Sequence, residues 1–69
     1  MFYFFQRGND FIRAEVNGDD ADGYTITVTH PDGSEKSERF NTSEEVHARW
    51  LAMQDEFQRE GWWGPSGRD

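Results

Sequence analysis

Sixty-nine residues allow one domain, and a chain this short hides only ~60% of the surface its unfolded form exposes. Without cysteine it has no disulfide to compensate, and with two histidines as its only nitrogen ligands a structural zinc is not expected. Fourteen acidic residues against seven basic ones leave a net charge of −7, which repels phosphate backbones and anionic membranes, so neither nucleic acid nor membrane is an expected partner.

Aromatic residues make up 16% of the chain, and at ~150–250 Å² each a few of them can build the core of an otherwise polar sequence. Oligomerisation is the other available source of stability. The absence of cysteine fits a reducing compartment, and cytoplasm is the expected location.

The opening "MFYFF" is apolar but ends at Gln6 with no basic residue ahead of it, so it reads as neither signal peptide nor membrane span. It belongs instead to the first of four strands: "FYFFQ" (2–6), "FIRAEV" (11–16), "YTITVTH" (24–30) and "SEKSERF" (34–40). The linkers "RGND", "NGDDADG" and "PDG" are short enough for hairpins, which predicts an antiparallel meander. A two-residue turn at Gly8–Asn9 pairs Phe5 with Ile12 and Tyr3 with Ala14. The acids of "NGDDADG" do not follow a calcium-loop pattern: aligned on Asp20, Asp22 and Gly23, the first ligand position is Gly18 and the last is Thr29. In "HPDGS" a type I turn followed by a left-handed Gly33 places His30 opposite Ser34 and Tyr24 opposite Phe40. A two-residue turn there would split the apolar set between faces. The inner face is then Tyr3, Phe5, Ile12, Ala14, Val16, Tyr24, Ile26, Val28 and Phe40.

"NTSEEV" starts a helix, with Thr42 as N-cap and Glu45 as its capping-box partner; Asn41 and Ser43 are alternative caps. Val46, Trp50, Met53 and Phe57 recur at spacings of four, three and four, forming one apolar stripe. Glu45–Arg49 and Asp55–Arg59 are i,i+4 pairs in the favourable order. If Gly61 ends the helix in a Schellman motif, Trp62 meets Phe57 and is structural. Trp63 either folds back over the sheet edge before Gly64–Pro65 turns the chain away, or is exposed. The expected fold class is α+β: a four-stranded antiparallel β-meander packed on one C-terminal α-helix, a single ββββα domain over 1–64 with a disordered tail over 65–69.

Catalytic signals are weak. His30 has Asp32 and Glu35 near it in sequence, and His47 lies off the helical stripe, but no serine stands in a nucleophile motif. Both histidines read as ordinary surface residues. Glu44 and His47 match one helix of a carboxylate-bridged di-metal site, which one helix cannot complete. No phosphate loop is present, and neither an enzyme nor a cofactor is expected.

The outer sheet face is sharper. In this register Phe2, Phe4 and Phe11 point away from the helix, beside Arg13 and Thr25, Thr27 and Thr29. Slipping strand one by a residue only exchanges Phe2 and Phe4 for Tyr3 and Phe5, so two aromatics of that strand stay uncovered either way. Such a patch marks an interface, filled by a second copy, by the tail with Trp63, or by another protein. Aromatics on a sheet also suit single-stranded nucleic acid, but that needs a basic groove this chain lacks.

With "HPDGSEKSERF" and "REGWWGP" read together, the chain resembles a class of short bacterial proteins built as a strand meander plus one C-terminal helix. The resemblance spans most of the chain, and it implies a fold but no activity, cofactor or site residue. The functional expectation is a non-catalytic interaction module that self-associates through Phe2, Phe4, Phe11, Arg13 and Trp63. The alternative is an acidic adaptor or inhibitor that docks a basic partner through Asp19, Asp20, Asp22, Glu44 and Glu45.

Overall fold

Turn chemistry sets the order of the sheet. The computed structural model describes residues 1–68, with β1 at Phe2–Arg7, β2 at Asp10–Asp19, β3 at Gly23–Thr29, β4 at Glu35–Phe40, α1 at Ser43–Arg59 and β5 at Trp63–Arg68. The Gly8–Asn9 turn pairs Phe5 with Ile12 and Tyr3 with Ala14, as its length requires. At the third hairpin, the Gly33 amide donates to the His30 carbonyl at 2.9 Å and the His30 amide to the Ser34 carbonyl at 2.8 Å. Tyr24 therefore faces Phe40. The Asp32 carboxylate accepts from the Ser34 hydroxyl (2.7 Å) and amide (2.9 Å), which holds it below the usual carboxylate range. In the second hairpin, Asp19 Oδ1 accepts from the amides of Ala21 (3.0 Å) and Asp22 (2.8 Å), so that carboxylate organises its own loop.

The helix has the expected start and stop. Thr42 is the N-cap; its Oγ1 accepts from the Glu45 amide and donates to the Glu45 carboxylate, both at 3.1 Å. At the other end Gly61 has φ +92, the Trp62 amide donates to the Phe57 carbonyl (3.0 Å) and the Gly61 amide to the Gln58 carbonyl (3.1 Å). Those two bonds are a Schellman ending. They carry Trp62 into the core at 6% exposure. Val46, Trp50 and Met53 are buried against Phe5, Ile12, Ala14, Ile26 and Val28, with Tyr3, Val16, Tyr24, Phe40 and Phe57 half-buried around them. Every residue of the expected inner face and helical stripe lies in this cluster.

Three expectations need correction. The sheet has five strands, in the order β4-β3-β2-β1-β5, because residues 63–68 pair antiparallel with β1. Residues 65–68 are thus part of a strand, while Asp69 lies outside the described residues. Gly64–Pro65 does not turn the chain away: it sits at a register shift within β5, an edge position where proline's missing N–H costs no ladder bond. Finally, Asp55–Arg59 forms at 2.9 Å, but Arg49 does not pair with Glu45. Glu45 is held in the cap, and Arg49 reaches Glu38 on β4 (3.2 Å) and Glu56 (3.4 Å). Burial pulls the Arg49 pKa down, and the bonds and charges of Glu38 and Glu56 more than offset it, leaving it raised. No helix among the described residues is long and apolar enough to cross a membrane.

Two glycines separate conformational from steric cost. A Cβ on Gly61 would meet only Arg7 Cδ at 3.7 Å, so Gly61→Ala costs the left-handed backbone penalty alone, about 1–2 kcal/mol. A Cβ on Gly18 (φ +129) would lie 2.2 Å from the Gly23 carbonyl oxygen. Gly18→Ala is expected to destabilise more than Gly61→Ala in urea unfolding followed by tryptophan fluorescence. Equal midpoints would contradict this account of the β2–β3 hairpin.

Candidate interaction surface

Residues directly opposite each other on neighbouring strands share a face, so the register places the outer surface row by row. Gln6 on β1 faces Phe11 on β2 and Trp63 on β5. Phe4 faces Arg13 on one side and Ser66 on the other, and Phe2 faces Glu15. Phe2, Phe4, Phe11, Arg13 and Trp63 therefore gather on one face around the β1 strand. Phe11 is 53% exposed and Trp63 71%, while Phe2 and Phe4 are half-buried. The Arg13 guanidinium lies 5.3 Å from the centre of the Phe2 ring, a cation–π contact that fixes the edge of the patch. Of the two fates open to Trp63, exposure is the one found.

Farther across the sheet the face turns polar. Thr25, Thr27 and Thr29 on β3 face Arg39, Ser37 and Glu35 on β4, with the Thr27 and Ser37 hydroxyls 2.9 Å apart. Phe4, Phe11, Arg13, Thr29, His30 and Glu35 border a depression of about 430 Å³. The charged side chains that the register assigns to the described part of this face are Arg13 and Arg39 against Glu15, Glu35 and, at the end of β2, Asp19. It is close to balanced, on a chain of charge −7.

The acids of the loop and helix start collect elsewhere. Tyr24, second in β3, lies opposite Phe40, where β4 ends shortly before α1 begins, so Asp19, Asp20 and Asp22 share one end of the molecule with Glu44 and Glu45. Arg39 donates to the Asp22 carbonyl at 2.9 Å, and the Tyr24 hydroxyl donates to Asp20 Oδ1 at 2.5 Å. That bond, with a smaller contribution from partial burial and the nearby Asp20 and Asp19 charges, raises the Tyr24 pKa above its ordinary value.

His30 borders the outer depression, and His47 is exposed on α1 beside Glu44 near the acidic end, so the two histidines do not share a site. Among the described residues no three His, Asp or Glu side chains converge as metal ligands. The chemistry available is that of surfaces: an aromatic, nearly charge-balanced sheet face and an acidic end. Sequence reasoning found the aromatic residues but missed the strand that brings Trp63 beside them. The usable signal was "FYFFQ" itself, because an uncharged aromatic strand left as a sheet edge would invite aggregation and needs cover.

No protein-family model, curated protein or solved structure matches this chain.

The Tyr24–Asp20 bond has a pH signature. Because the folded-state phenol pKa is raised, its contribution to stability is complete below the unfolded phenol value and is lost as pH climbs through the raised one. Asp20→Ala should bring the titration of the Tyr24 Cζ resonance back toward that of an ordinary tyrosine. An unchanged midpoint would show that Asp20 does not hold the hydroxyl.

Proposed function

We propose that this chain is a non-catalytic interaction module that self-associates through the outer sheet face. The observation that carries this reading is the row Trp63–Gln6–Phe11, in which two widely exposed aromatic side chains stand on strands either side of β1, with Phe4 and Phe2 beside them. A second copy suits the face for an electrostatic reason. The molecule is strongly acidic, yet here Arg13 and Arg39 offset all but one of the carboxylates Glu15, Glu35 and Asp19, so two copies approach with far less repulsion than their net charge would otherwise impose. An isologous contact about a two-fold axis also lets Arg13 of one copy meet a glutamate of the other.

The magnitudes favour a weak complex. Half of an aromatic side chain is about 100 Å². Covering Phe11 and Trp63 on both copies removes about 400 Å² from water, or about 10 kcal/mol at ~25 cal/mol per Å². Association costs ~4–15 kcal/mol, so a tight dimer is not expected from these residues alone.

Sedimentation velocity over a wide concentration range tests the reading. A dimer is expected at high concentration, persisting in high salt because its contact is apolar rather than ionic. The double substitution Phe11→Ser, Trp63→Ser should lower the association constant by at least about tenfold while leaving the thermal midpoint nearly unchanged, since both side chains are exposed. A monomer at every concentration would end the self-association reading.

A further inference from the structure

A single helix cannot cover the whole apolar face of a five-stranded sheet, and the corner it leaves open has a definite chemistry. α1 starts beside Phe40, the residue opposite Tyr24, and ends where Arg7 of β1 donates to the Glu60 carbonyl at 2.9 Å. It therefore crosses the sheet diagonally and leaves two corners. One is bordered by Val28, Met53 and Phe57 and is bridged by Arg49, bonded to both Glu38 and Glu56. The other is an open groove of about 520 Å³ with Tyr3 and Val16 on the sheet side and Val46 and Trp50 on the helix side. Glu44 and His47 stand on its helical rim.

We infer that this groove binds a short basic segment of a partner protein, seating one bulky apolar side chain between Tyr3, Val16, Val46 and Trp50 with lysine or arginine on either side of it. The volume falls within the ~300–1,000 Å³ typical of sites that enclose a ligand group, and its walls are aromatic and aliphatic. Charge selects the flanks. Glu44 lines the groove, and Glu45, Asp19, Asp20 and Asp22 share its end of the molecule; these five carboxylates outnumber the two cations there, Arg39 and the Met1 ammonium, which lines the groove and donates to the Val16 carbonyl at 3.2 Å. The helix N-terminus contributes about half a positive charge, which the full charges of Glu44 and Glu45 outweigh. The same carboxylates disfavour a second copy of this chain and any nucleic acid, both of which would bring more negative charge to the rim. This surface is separate from the outer face, on the opposite side of the sheet.

The probe is the end-capped hexapeptide Arg-Lys-Leu-Phe-Arg-Lys, titrated into the ¹⁵N-labelled chain at low salt. Its control carries serine in place of the leucine and phenylalanine. Saturable shifts of the Tyr3, Val16, Val46, His47 and Trp50 amides are expected, with the control binding about tenfold more weakly or worse. Glu44→Gln, exposed and outside the Thr42–Glu45 cap, should weaken the peptide by at least about threefold, with only a small fall in thermal midpoint from the lost charge at the helix N-terminus. Phe11→Ser with Trp63→Ser should leave its affinity as it was, which separates failure of this inference from failure of the self-association reading. Three results would overturn it: no groove shifts at millimolar peptide, equal binding by the control, or groove shifts that follow protein concentration without any peptide.

Discussion

Phe5 is the side chain on which the arrangement turns. It has no exposed surface, and its ring lies 6.0 Å from Trp50 and 4.9 Å from Phe57, while Trp50 in turn lies 4.8 Å from Tyr3. This seam joins the first strand to two turns of the helix. It exists only if odd-numbered residues of β1 face inward. Because the side-chain period of a strand is two, the same choice that buries Phe5 sends Phe2 and Phe4 outward. Core and surface patch are one consequence of one register.

Arg7 carries that consequence to the far end of the chain. Its guanidinium lies 4.4 Å from the centre of the Trp62 ring and donates to the Glu60 carbonyl, a cation placed where the helix dipole is negative. Held there, the chain leaves the Schellman turn beside the free edge of β1. The next residues can pair with that edge, and they do: Trp63 faces Gln6 and Ser66 faces Phe4. The alternation that turns Trp62 into the core turns Trp63 away from it. Two adjacent tryptophans thus have opposite roles for a reason as simple as strand geometry.

Charge is partitioned in a way that the total conceals. The end of β2, the β2–β3 loop and the first turn of α1 concentrate five carboxylates at one end, while the rest of the outer sheet face holds two arginines against two glutamates. A net charge of −7 describes neither region. Arg49 shows the same thing on a smaller scale. Helical spacing offers it Glu45, but the capping threonine holds that carboxylate, and the sheet presents Glu38 instead.

What the sequence by itself determined was local. "RGND" and "HPDGS" specify their turns and therefore the pairings of Phe5 with Ile12 and of Tyr24 with Phe40. Thr42 and Glu45 specify the helix start, Gly61 its end, and the spacing of Val46, Trp50, Met53 and Phe57 its buried side. All of these depend on residues a few positions apart, where turn geometry and the periods of strand and helix leave little choice. Only the tertiary structure decided that residues 63–68 form a strand, that Trp63 joins Phe4 and Phe11, that Arg49 chooses Glu38, and that loop and helix acids share an end. Each brings together groups far apart along the chain. Their proximity follows from where the diagonal helix delivers the backbone, and no local pattern encodes that distance.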